Sequence, residues 1–535
     1  MNCEIVNEFP KMSKMDYICS KNIDPELVAL EYFGVKVTYG DLESTVLDYS
    51  KKLHTLGVKE NDSVALCLPN TIESAELFLA VNERGAVCNN IFPLSNSEQI
   101  KYCLNLLDSE IIFILDSKID ELNKVITQTK VKKVVLVSPF ESLKGIGSFY
   151  GLLKHKAKFS YENVEYYSFN EFKKVYSTDY IKPTYKENRL SSVQYTSGTT
   201  GVPKAVALTD DCFNARAYQY SKINVGIEYG IRFLQSLPFC GIAYGEFTLH
   251  LGLCNACCNV LVPKFSSDDI LKLIKKYDIQ GISTTPIAWL NAIDSKEFCK
   301  SNFNNFKVAA VGGDGAIKKH MDMIQNALES KGFKNKVVLG AGGTELGVSF
   351  STNTNDDNCS GTSGKPLYGN ECIIINSFGK ECKTDEIGTV YYKPIYPCIG
   401  YLNDYTLNSN SFGIDIGDCG YIDKDGNLTV VGRKDDAILI DDEVVYPMMF
   451  EKEINNCKYV KYGFVVEPKN SSKKIRICYT SYDGQNDYYD SEILNYVDKK
   501  YHKYIEINRI KYIPKTSGLK IDRQKLSENI DDLSV

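Results

Sequence analysis

The sequence predicts an α/β fold: a large N-terminal domain of βα-rich subdomains and a small α+β C-terminal domain. Three observations support this reading. A chain of 535 residues is well beyond one domain, since domains typically hold roughly 150 residues. From about Thr38 onward, segments of helical and strand period alternate, as in stacked βα units with largely parallel sheets. At residues 432–436 a polar GRKDD turn ends that alternation and leads into a stretch read as two helices and several strands. The boundary is therefore set between residues 1–434 and 435–535.

The elements follow in order. Residues 39–56 set Leu42, Val46, Tyr49 and Leu53 on one helical face. Residues 63–68 read as a strand ending at Pro69, and 70–86 as a helix. Residues 97–107 form the next helix, with strands at 111–115 and 133–137, a helix at 268–277 and a strand at 307–311. Residues 142–188, rich in Lys, Tyr and Ser without clean periodicity, are expected to form an exposed excursion.

Composition removes several function classes. With 43% hydrophobic and 24% charged residues the chain should fold as an ordinary globular protein. A net charge of -6 gives no basic field for nucleic acid or an anionic membrane. The start, MNCEIVNEFPKMSKMD, lacks the apolar segment of a secretory signal, so the 18 cysteines are read as free thiols of a cytoplasmic protein. Cys254, Cys257 and Cys258 lack the second Cys/His pair a zinc site needs and are assigned to the core. Residues 247–262, the most apolar run, are interrupted by His250, Asn255 and Asn259 and are too short to span a bilayer.

The string YTSGTTGVPKAV at 195–206 carries the chemistry. Its glycines permit unusual backbone angles, and its hydroxyls and amides can converge on one anion. No Gly-Lys-Ser/Thr closes it as in a P-loop, and GGDG at 312–315 and GAGG at 340–343 do not complete a dinucleotide fingerprint. Further blocks follow in order: VGGDGAI at 311–317, GAGGTELG at 340–347, GTSGKPLYG at 361–369, IGDCGYIDKDGNL at 416–428, GRKDDAILI at 432–440 and PKTSGLKIDR at 514–523.

This ordered set resembles the adenylate-forming enzymes, which include acyl-CoA synthetases, peptide-synthetase adenylation domains and firefly luciferase, over nearly the whole chain. The resemblance implies that a carboxylic acid is joined to the α-phosphate of ATP with loss of pyrophosphate. Two anions must then approach, and at an effective dielectric near 20 they repel by roughly 4 kcal/mol at about 4 Å, so cations are required. By resemblance Lys520 bridges carboxylate and α-phosphate, Thr344 bonds the α-phosphate and Glu345 binds Mg2+. Thr196, Ser197, Gly198, Thr199, Thr200, Gly201 and Lys204 belong to the phosphate loop. Gly313, Asp314, Gly315, Ala341 and Gly342 border the nucleotide, and Asp418 with Arg433 holds the ribose. Asp435 is the hinge about which the small, mobile domain swings. The acid pocket is assigned to Phe239, Cys240, Gly241, Tyr244, Gly312 and Gly340, with Trp289 in either its wall or the core.

The chain departs from the family pattern in places. Ala341 replaces the aromatic that stacks on adenine in many members, Asp441 and Asp442 replace glycine on the thiol path, and Gly518 and Leu519 replace Ser-Gly before Lys520. No aspartate follows Phe239 to pair with an α-ammonium, which disfavours amino acids. The favoured activity is acyl-adenylate formation followed by transfer to coenzyme A. The alternatives are transfer to a carrier-protein phosphopantetheine or to an amine, and a non-catalytic nucleotide-binding relative. A small carboxylic acid is the expected substrate, and an acyl carrier protein is one candidate partner.

Overall fold

A computed structural model describes residues 3–143, 161, 163–196, 203–403, 405–469, 471–482, 489–516, 520–528, 530 and 532–533. Two sheets dominate. The first has nine strands in the spatial order Lys365–Pro366, Ser351–Thr352, Val337–Ala341, Val308–Val311, Gly281–Thr284, Arg232–Gln235, Cys258–Leu261, Val28–Tyr32 and Val35–Thr38. The run from Val337–Ala341 to Val28–Tyr32 is parallel throughout. Ligands in open α/β sheets gather outside the carboxyl ends of such strands, here just beyond Val311 and Ala341.

The second sheet has eight strands, ordered Gly400–Tyr401, Lys204–Thr209, Leu190–Thr196, Val87–Asn90, Ser63–Cys67, Ile111–Leu115, Lys133–Val137 and Glu165–Ser168. Every residue of helix Ile72–Glu83 is buried. Its side chains join those of both sheets and of helix Ala243–Cys254 in one core. A hydroxyl cap fixes its start, since Thr71 accepts the Ser74 N–H.

A third sheet of six strands contains the antiparallel pair Asp418–Ile422 and Leu428–Arg433. Its register sets Asp418 opposite Arg433. The small domain comprises the hairpin Ile438–Ile440 and Glu443–Val445, the sheet Val460–Val466, Ile475–Ser481 and Ile505–Arg509, and helices Pro447–Ile454, Asp490–Leu494 and Arg523–Glu528.

The α/β class is borne out, with differences in detail. Three helices stand among the described residues of the small domain instead of two, and two of them have only 5 and 6 residues, too few to show a periodic pattern. The expected excursion at 142–188 contributes the edge strand Glu165–Ser168 and helix Phe169–Lys173. Phe169 and Phe172 anchor that helix by packing on Tyr49. Cys254, Cys257 and Cys258 are buried. Among the described residues no helix is long and apolar enough to cross a membrane.

One face of the small domain rests on the large one. Tyr462, Phe464, Ile521 and Leu526 share a hydrophobic cluster with Trp289, Met321 and Ile324. The Tyr462 hydroxyl donates to Asp294 at 2.7 Å, and Lys461 pairs with the same carboxylate at 2.8 Å.

Candidate active site

Segments distant in sequence converge on one cavity of about 310 Å³ between the large domain and Lys520. The strand ends supply Gly312, Gly313, Gly340 and Ala341, and the turn after them supplies Gly342, Gly343 and Thr344. Gly342 is pressed so tightly against the Val348 carbonyl that no side chain fits there. Thr196 enters from the second sheet, where it pairs with Lys204 across the mouth of a hairpin. The rest of that loop, Ser197, Gly198, Thr199, Thr200 and Gly201, lies outside the described residues, as do Gly518 and Leu519.

Lys520 reaches the cavity from the small domain, and a Cβ on Gly313 would stand 3.9 Å from its Cε. Although the side chain stays exposed, the cleft walls withdraw water from it and pull its pKa below the usual lysine value. Asp314 opposes that shift and Arg433 adds to it. Asp314 and Gly315 do not line the cavity. Asp314 accepts the Ile521 N–H through Oδ2 at 2.9 Å, and a Cβ on Gly315 would collide with Met448 at 2.7 Å, so both face the small domain.

Glu345 lies in the short helix Thr344–Leu346, where Tyr401 donates to its Oε1 at 2.8 Å. The Lys204 ammonium sits 5.5 Å from the Tyr401 ring centre and 5.4 Å from that of Tyr405. Asp418 is buried, and its Oδ1 pairs with Arg433 Nε at 2.8 Å while Oδ2 accepts the Tyr392 hydroxyl at 2.7 Å. Burial raises its pKa, against the pull of Arg433 and Tyr392. Arg433 is held in turn through Nη1 donating to the Ile416 carbonyl at 2.7 Å. Asp435 stands exposed in the turn Lys434–Asp436 that follows strand Leu428–Arg433.

In the wall assigned to the acid, Gly241, Tyr244, Gly312 and Gly340 line the cavity. Phe239, Cys240 and Trp289 do not, because each is enclosed by core packing. Phe239 meets Phe78, Cys240 is buried beside it, and Trp289 packs against Phe303 and Phe306. Tyr401, Tyr392 and the Asp314 to Ile521 bond were not legible in the sequence, since each partner arrives from a strand or turn far along the chain.

A family model described as AMP-binding enzyme matches residues 20–402. The chain belongs to the AMP-binding enzyme family. The adenylate-forming superfamily read from the motifs is thereby borne out, and with it an AMP-forming acyl ligase. Among relatives, a long-chain-fatty-acid–CoA ligase of Salmonella typhimurium is 26% identical over 439 residues, 78% of this chain and 76% of its own. The 4-coumarate–CoA ligase 4 of Arabidopsis thaliana is 23% identical over 94% of this chain and 87% of its own. Among solved structures, the anthranilate CoA ligase AuaEII in complex with anthranoyl-AMP superposes with a TM-score of 0.82 at 19% identity, over 97% of this chain and 98% of that one. The amide bond synthetase McbA of Marinactinospora thermotolerans gives 0.77 at 19% identity, over 96% and 99%. In this AMP-binding enzyme the small domain follows the large one in the chain.

Proposed function

We propose that this protein is an ATP-dependent acid–thiol ligase. In the first step an oxygen of the carboxylate attacks the α-phosphorus of ATP, the bond to the bridging β-oxygen breaks, and pyrophosphate leaves. In the second, a thiolate sulfur attacks the acyl carbon and AMP departs, with coenzyme A as the thiol. The observation that carries this reading is the meeting of Lys520 with Thr344 and the two glycine-ended strands in one cavity. A cation at that point offsets the repulsion between carboxylate and phosphate as they approach.

Asp418, buried and already oriented by Arg433 and Tyr392, suits two ribose hydroxyl donors. Thr196, Ser197, Gly198, Thr199, Thr200, Gly201 and Lys204 would hold the outer phosphates. For Mg2+ the donor set fits, since Tyr401 occupies Oε1 of Glu345 and leaves Oε2 for a hard cation. Bound there with phosphate and water oxygens, the ion would neutralise triphosphate charge. We place the domain division between residues 434 and 435, with Asp435 as the hinge of a mobile small domain. The cysteines whose side chains the structure describes are free thiols, which suits a cytoplasmic location.

A second reading, transfer to a carrier phosphopantetheine or an amine, is favoured by one observation. Asp441, at φ 52° in the hairpin turn, is fixed by the Tyr504 hydroxyl at 2.6 Å and sets a carboxylate where the resemblance expects glycine on the thiol path. Acid-dependent exchange of pyrophosphate into ATP tests the first step, and no exchange with any carboxylic acid would refute the assignment. Product mass spectrometry with coenzyme A, a carrier and an amine separates the acceptors.

A further inference from the structure

The deep half of the cavity has a floor and measurable length. Along strand Val308–Val311 and the turn after it, Val308, Ala310, Val311 and Gly312 all face the cavity. Four steps of about 3.3 Å make that wall roughly 13 Å long. On the opposite side Tyr244, Thr248 and Leu251 of helix Ala243–Cys254 line it, and seven steps of about 1.5 Å give roughly 10 Å. The two rulers agree.

The floor is made by Val225, Ile227, Phe233 and Val308. Ile227 packs with Phe233, Val308 and Cys257 in one apolar cluster. Gly226, at φ 85°, is jammed against the Lys307 carbonyl, which leaves no room for a side chain. Its N–H donates to Asn224 Oδ1 at 3.2 Å, and the Asn224 carbonyl accepts the Asn355 N–H at 2.7 Å. The loop is thus pinned on both sides.

The wall makes no polar demand on an acyl tail. Tyr244 and Ser283 hydroxyls lie 3.1 Å apart and satisfy each other, as do those of Tyr220 and Ser349 at 2.9 Å. Thr248 donates to Gln235 Oε1 at 2.8 Å. Thr284 Oγ1 has no hydrogen-bond partner, but it is sealed from solvent. Among the described lining residues Lys520, at the mouth, is the one charged side chain. A second carboxylate on the substrate would lack a cation, and an α-ammonium would lack an anion, each at a steep desolvation cost.

Resting on the reading of this site as an acid-activating cavity, we propose that residues 225–227, with Phe233 and Val308, form a stop that selects monocarboxylic acids with an uncharged apolar tail of about eight to ten carbons. An extended chain advances about 1.2 Å per bond, so roughly 10–13 Å accommodates that length. Within the stop, each methylene added to a tail should raise kcat/KM about fourfold; beyond it kcat/KM should fall.

Acid-dependent pyrophosphate exchange by the full chain tests this with linear acids of about 4 to 16 carbons, cinnamate, a dicarboxylate and an α-amino acid. The expected result is a maximum near octanoate and decanoate, with cinnamate as the arm that shows whether a flat aryl tail of similar length is accepted. Ile227→Ala should move the maximum to longer acids and Val308→Phe to shorter ones; either shift suffices if one variant fails to fold. A maximum at butanoate, at the dicarboxylate or at the amino acid would overturn the stop while leaving the ligase reading intact. So would equal rates for all chain lengths. Exchange with none of the acids would overturn both.

Discussion

Asp314 accepts the Ile521 backbone N–H at 2.9 Å, joining the glycine turn of the large domain to the residue that directly follows Lys520. This bond fixes the Lys520 stem at the cavity mouth. A hydrogen bond to a charged acceptor contributes about 1.5–3 kcal/mol, so Asp314→Ala should slow adenylate formation by roughly tenfold or more while ATP affinity changes little. Asp314→Asn keeps an acceptor oxygen and should recover most of the rate. It should not recover the pH profile, because the carboxylate charge that supports the Lys520 ammonium is gone. Single-turnover adenylate formation against pH measures both.

Tyr401 does for Glu345 what Asp314 does for Lys520. Its hydroxyl holds Oε1, and its ring lies beside the Lys204 ammonium. Tyr401→Phe removes the donor and keeps the ring. The expected outcome is a several-fold rise in the Mg2+ concentration that gives half-maximal exchange, with thermal stability nearly unchanged. An unaltered Mg2+ dependence would show that the bond does not position Glu345.

The parts legible in the sequence were those written locally. Helix Tyr39–Thr55 and strands Ser63–Cys67 and Lys133–Val137 carry their own periodicity, and the glycine-bounded turns around Gly312 and Gly342 carry their own backbone demand. The motif residues Thr344 and Lys520 could be brought to one cavity only by resemblance, since 175 intervening positions carry no distance information. Trp289 shows the limit from the other side. An aromatic at a strand-to-helix junction reads equally as wall or core, and only packing on Phe303 and Phe306 decides for core. Side-chain partners such as Tyr392 for Asp418 depend on sheet pairing in the third sheet, which no local pattern encodes.

The pH profile of the first step should be bounded by two shifted groups. Desolvation lowers the Lys520 pKa from 10.5, so its ammonium, the active form, is lost as pH rises sooner than in a surface lysine. Burial raises Asp418 above 3.8, so its carboxylate, the form that accepts ribose hydroxyls, is lost as pH falls sooner than in an exposed aspartate. The plateau should therefore be narrower than free Asp and Lys would give. Lys520→Arg keeps its charge to higher pH and should flatten the alkaline limb even at reduced rate, whereas Arg433→Ala should carry the acid limb further upward. Exchange rates from acid to alkaline pH with saturating and limiting ATP distinguish the two groups.

Lys14 and Glu246 form a fully buried ion pair at 2.6 Å, with the ammonium over the Phe78 and Phe213 rings. Glu246 Oε2 also accepts from Ser192 at 2.6 Å and from Gln194 Nε2 at 2.7 Å, and Gln194 lines the cavity. The pair thus links the N-terminal helix Lys14–Cys19 to the strand that leads into the phosphate loop. Lys14→Met strands a buried carboxylate, and breaking such a pair costs about 3–5 kcal/mol, which equilibrium urea unfolding would register. The double variant Lys14→Met, Glu246→Gln removes the uncompensated charge and keeps an oxygen for Gln194, so it should regain much of that stability. If the pair also positions Gln194, the double variant should retain near-normal KM for the acid while Glu246→Leu, which abolishes the acceptor, raises it. Equal KM values in the two would confine the pair to stability alone.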